Sequence, residues 1–180
     1  LPAYRFHIRF LLLLGALVIR LTVAAQEYTQ NELKAGYIIN FSKFVEWPTE
    51  YNNGPFIVGI YGPDPFEEFL GKMLETRKGA QRLWLIEHYN NISELKYCHI
   101  LFITEAADKD LAEILKFSQD KAILTIGNSI NGFCEKGGII NFTAKESAKR
   151  FQINQDSGLK VKLKIDSRLL SLSEIIKASP

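Results

Sequence analysis

The chain has 180 residues, 47% of them hydrophobic and 23% charged, with 22 basic and 20 acidic side chains and a formal net charge of +2. That length suits one domain with a real core, and the near balance of charge argues against nucleic acid, which selects for concentrated positive charge. Two cysteines and three histidines without paired spacing give no zinc pattern.

Residues 1–25 differ from the rest. Arg5, His7 and Arg9 precede an apolar run from Phe10 to Ile19 broken by Gly15, and Val23-Ala24-Ala25 offers small side chains before Gln26. This layout predicts a secretory signal peptide cut between Ala25 and Gln26. The run before Arg20 is too short for a membrane span, which takes about 20 residues. Cleavage would remove Arg5, Arg9 and Arg20 and no acid, which leaves the exported domain, expected over 27–178, close to neutral.

Thr29 with Glu32 forms a capping-box pattern, and Leu33, Tyr37, Ile38, Phe41, Phe44 and Val45 share one face of a helix over 33–48. Trp47-Pro48 supplies its stop. After the turn Asn52-Asn53-Gly54-Pro55, the apolar run 56–61 reads as a buried strand. Asp64, Pro65 and Glu67 then predict the start of a helix running to about Glu75.

Further strands are expected over 82–86, 99–103, 122–126, 137–142 and 150–153, the last two antiparallel, with a helix over 108–118. Leu159, Val161, Leu163 and Ile165 alternate with Lys160, Lys162 and Lys164, the pattern of a half-exposed edge strand guarded by lysine. A basic docking face for an acidic partner is the alternative reading of that row. Asp166 or Ser167 caps a final helix to about Lys177. Alternating strands and helices predict an α/β three-layer sandwich, with a mixed, mostly parallel central sheet of about six strands flanked by helices.

Ligands of open α/β sheets gather at the strand carboxyl ends, where Asp64, Thr104 and Ser129 are the candidates for a ligand crevice. Each is equally a cap or turn former. Neither a G-x-G-x-x-G nor a Walker motif occurs, and His99 opens a strand at the end away from that crevice, so no catalytic residues, metal or cofactor are assigned. Phe44 and Trp47 are the candidate partner-binding residues, since aromatics at helix ends mark docking surfaces. Cys98 and Cys134 should lie two strand spacings apart, about 4.8 Å each, beyond the roughly 7 Å reach of a disulfide unless the loop between folds over. Their pairing stays open.

The segment Leu33-Lys-Ala-Gly-Tyr-Ile-Ile-Asn-Phe-Ser-Lys-Phe-Val-Glu-Trp-Pro48 resembles the opening helix of the YfiR-like family of exported bacterial proteins. Val58-Gly-Ile-Tyr-Gly, Asp64-Pro-Phe66, Cys98-His-Ile-Leu-Phe-Ile103, Gly137-Gly-Ile-Ile-Asn-Phe142 and Arg150-Phe-Gln-Ile-Asn154 extend the likeness. The resemblance implies a small periplasmic α/β domain that binds the periplasmic part of an inner-membrane diguanylate cyclase and lowers its output, with effects on cyclic-di-GMP and biofilm. It implies a binding protein and no enzyme, with a homodimer left open. The alternative is a periplasmic small-ligand sensor or hydrolase using the strand-end crevice. Relatives often carry a second cysteine shortly after the one matching Cys134; here Asn141 occupies that neighbourhood, and redox control through that local disulfide loses its basis.

Overall fold

The computed structural model describes residues 28–76, 82–143 and 150–177. The expected signal segment and its cleavage point lie outside these.

Helix α1, Gln30–Phe44, starts as its sequence requires. The Thr29 hydroxyl accepts from the Glu32 N–H at 3.2 Å, and the Glu32 carboxylate accepts from the Thr29 N–H at 2.6 Å. Both otherwise orphaned donors are thereby satisfied. Ala35, Ile38, Ile39 and Phe41 form its buried side. The helix ends before Trp47-Pro48 because Val45 turns extended and enters strand β1, Val45–Glu46. That strand pairs antiparallel with β8, Lys164–Ile165, outside the main sheet.

The central sheet has seven strands, in the order β3-β2-β4-β5-β6-β7-β9. Strands β2 (Phe56–Tyr61), β3 (Trp84–Tyr89), β4 (Ile100–Ile103), β5 (Leu124–Asn128) and β6 (Ile140–Phe142) run parallel. Strand β7, Phe151–Ile153, pairs antiparallel with β6 as expected, and β9, Glu174–Ile175, lies parallel to β7. The three-layer α/β sandwich is therefore observed, with one strand more than the sequence predicts.

All four residues of β4 are fully buried, as a strand covered on both faces must be. On one face, Val58, Ile60, Phe102 and Phe142 pack under α1 and α2, Phe69–Glu75. On the other, Tyr61, Leu101, Ile103 and Phe133 pack under α3, Leu111–Ser118. Each such large side chain removed from water contributes about 1.5–3 kcal/mol.

Three expectations fail locally. The helix expected from Asp64 begins only at Phe69, because the Asp64 carboxylate caps a turn at the Phe66 N–H (2.8 Å) and Glu67 takes φ +50°. The lysine row is no edge strand. Asn154 caps helix α4, Gln155–Lys160, by accepting from the Ser157 N–H at 2.9 Å, and Lys162 takes φ +63°, so only Lys164–Ile165 is extended. The final helix, α5, covers just Ser167–Ser171 after its Asp166 cap; the chain then forms β9, with Leu172 and Ile175 exposed rather than inward. Strand β3 starts at Trp84 because Arg82 is engaged with the loop before β2. Helix α3 is preceded by a 3-10 stretch, Glu105–Asp110. Among the described residues, no helix is long and apolar enough to cross a membrane.

Candidate functional site

The strand order reverses between β2 and β4, and a ligand crevice of a doubly wound sheet opens at such a point, beyond the carboxyl ends. Here that place is filled. Thr104 is 5% exposed, and both its hydroxyl and its N–H donate to the Tyr61 carbonyl at 3.1 Å. Gly62 follows with φ +92°, and a Cβ there would stand 2.2 Å from Thr104 Oγ1. The threonine bolts two neighbouring strand ends together and leaves no free hydroxyl for chemistry.

The other two crevice candidates have other engagements or positions. Asp64 spends one oxygen on its own turn and meets His88 Nε2 with the other at 2.9 Å. Ser129 follows β5, two strands away from β2, about 10 Å by the spacing of a sheet. It is exposed on left-handed backbone, φ +61°. Asp64 therefore caps a turn that His88 also touches, and among the described residues no metal-binding cluster of His, Cys, Asp or Glu occurs.

Sequence reasoning missed Lys34 at this end of the sheet. Its ammonium donates to Asn128 Oδ1 at 2.6 Å and lies 5.7 Å from the centre of the Phe142 ring. Burial lowers its pKa, and the nearby Glu105 charge works against that. No local pattern links positions 34 and 128; only the packing of α1 across the strand ends does.

The amino end of the sheet holds the aromatic candidates. Trp47 donates its Nε1–H to the Ala122 carbonyl at 3.0 Å and sets its ring edge-on to Phe56, with centroids 5.2 Å apart. Phe44 is half-buried against the core, with the Arg168 guanidinium 5.3 Å from its ring centre. Both residues therefore hold α1 to the body and present only partial edges to a partner. Beside Trp47 an open hollow of about 520 Å³ is lined by Phe56, Arg82 and Trp84.

His99 completes this aromatic block. Its Nδ1 accepts from the Ile57 N–H at 3.1 Å, which places the proton on Nε2, within 3.0 Å of the Tyr51 carbonyl. Burial lowers its pKa; the Tyr51 carbonyl opposes the shift and the Arg82 charge adds to it. Arg82 gathers the carbonyls of Gly54 and Tyr51 at 2.7 Å, with Asn53 and Pro55 at 3.2 and 3.3 Å. These are the bonds of a clamped loop, not of a general base.

Cys98 and Cys134 are both free and fully buried in the layer under α3. Burial pushes both thiols up to about 12, well away from the reactive thiolate. The disulfide left open by the sequence does not form, and β5 lies between the strands these residues precede.

No curated protein matches the chain. The match to a family, by contrast, reaches from α1 to the start of β9, over residues 31–174, and on it the chain belongs to the YfiR/HmsC-like family.

Proposed function

We propose that this chain is an exported periplasmic regulator that docks on the periplasmic part of an inner-membrane diguanylate cyclase and holds down its cyclic-di-GMP output, turning over no substrate itself. Membership of the YfiR/HmsC-like family carries this reading. The geometry is consistent with it, because the strand-end crevice is filled by Thr104 and the buried histidine and thiols are occupied or inert. A ligand sensor or hydrolase built on Asp64, Thr104 and Ser129 has less support, since Asp64 and Thr104 are bonded to their own neighbours and Ser129 follows a strand two places from β2.

The test is genetic and biochemical together. Deleting the gene should raise cellular cyclic-di-GMP, and the purified chain should bind the periplasmic region of a membrane diguanylate cyclase from the same cell. Unchanged cyclic-di-GMP together with no binding would remove the regulator reading. Loss of function in Asp64→Ala and Ser129→Ala at unchanged stability would put the ligand sensor in its place.

A further inference from the structure

The crossover from β5 to β6, residues 129–139, contains turns and no helix. A parallel sheet is normally covered by helices on both faces; beside α3 the turns themselves give that cover, through Ile130, Phe133 and Cys134. An open groove of about 550 Å³ lies there. One wall is a stripe along α3 and its flanks, Asp108, Ala112, Leu115 and Gln119, at helical spacing. The other wall is Ser157, Lys160 and Val161 from α4 and its exit, and the floor is Ile123, Thr125 and Ile139.

Two properties of this groove say what it would hold. Several of its polar groups are bonded from within. The Thr125 hydroxyl accepts from the Ile139 N–H at 3.1 Å, the Ser118 hydroxyl donates to the Ile114 carbonyl at 2.9 Å, and the Ser157 N–H donates to Asn154 Oδ1 at 2.9 Å. Groups engaged in this way offer little to a small polar ligand, which would be recognised through a few convergent polar groups. The rim, in contrast, carries Lys109, Lys116, Lys136 and Lys160 against a single carboxylate among the described lining residues, Asp108. Asp108 stands 3.8 Å from Lys136 with both side chains more than half exposed, a weak pairing that leaves the surplus positive.

Resting on the docking function proposed above, we infer that this groove seats an acidic amphipathic segment of the partner protein. Apolar side chains of the segment lie on Leu115 and Val161, the partly exposed apolar residues of the lining, above the buried Ile123 and Ile139, and its carboxylates face the four lysines. The α3 stripe from Asp108 to Gln119 spans about 16 Å, which is roughly three turns of a docked helix. Of the lysine row in the sequence, only Lys160 takes part; Lys162 and Lys164 do not line the groove.

The experiment places a photo-crosslinking amino acid at Ala112, an exposed groove position, and mixes the full chain with purified periplasmic regions of membrane diguanylate cyclases from the same cell. The expected result is a crosslink to a cyclase segment that is both acidic and amphipathic. Lys116→Glu with Lys160→Glu should weaken the complex about tenfold or more, and wild-type affinity should fall with added salt. Circular dichroism checks that the double variant is folded. An intact complex with no crosslink at 112 and unchanged affinity of the double variant overturns the groove while leaving the regulator reading in place. Crosslinking to phosphatidylglycerol vesicles, with no cyclase segment captured, overturns it in favour of a membrane surface. Failure of the wild-type chain to bind any cyclase region overturns the groove assignment, and together with unchanged cyclic-di-GMP on deletion it removes the regulator reading as well.

Discussion

Gly62 is the residue on which the closed strand-end crevice turns. Its φ of +92° is open to glycine and strained for other residues, and the space a Cβ would need belongs to Thr104 Oγ1. Gly62→Ala should therefore cost about 1–3 kcal/mol, measurable as a lower urea midpoint at unchanged slope. A value near zero would mean that Thr104 does not close this point. His99 gives a second prediction, in pH. Its folded pKa is depressed below the ordinary value of 6.5, so between those two values the unfolded chain holds a proton that the native one lacks. Stability then rises with pH through that window and is lost as pH falls below about 6.5. Urea titrations from pH 7 downward should show this loss in the wild type, and a shallower one in His99→Gln.

Among the elements, those carrying their own boundary signals were legible in the sequence. The first helix has Thr29 and Glu32 at one end, and that cap appears as read; of the face read behind it Ile38 and Phe41 are buried, while Leu33 is exposed and Ala35 and Ile39 take its place. Strand β2 is flanked by Gly-Pro punctuation and matches residue for residue. Misreadings arose where one pattern satisfies two structures. Asp64 caps a turn as well as it would cap a helix, so Asp64-Pro65-Glu67 placed the helix too early. Period two over residues 159–165 looked like a strand, but the stronger signal lay upstream in Asn154. That residue is fully buried; its Oδ1 accepts from the Ser157 N–H, and its Nδ2 donates to the Cys134 carbonyl at 2.8 Å. Asn154→Ala removes a helix cap and leaves a buried carbonyl unpaired, at a cost of about 2–4 kcal/mol. Chemical denaturation checks the figure, and a loss under 1 kcal/mol would deny Asn154 that role. Strand β9 was not legible at all, because Glu174 and Ile175 are both exposed and carry no burial pattern. The candidate site was read less well than the fold. Whether Trp47 faces solvent or the Ala122 carbonyl depends on strands distant in sequence, and so does the meeting of Lys34 with Asn128.

For the whole molecule, the proposed export makes a simple expectation: the protein recovered from the envelope should begin at or near Gln26, by N-terminal sequencing. An intact Leu1 in that fraction would refute the cleavage. Burial of Phe41, Phe44 and Val45 by the body of the domain is secured late in the chain, since Val45 pairs with Ile165 and the Asp166 N–H donates to the Phe44 carbonyl at 2.8 Å. That small clasp has a kinetic meaning. Joining positions so far apart requires a large loop to close before any contact rewards it, so closure of this clasp is expected to lag behind the local structure of α1. A chain threaded through a membrane from its amino end would keep its opening helix unlatched until residues near 165 had arrived, and would thus stay threadable for most of its passage.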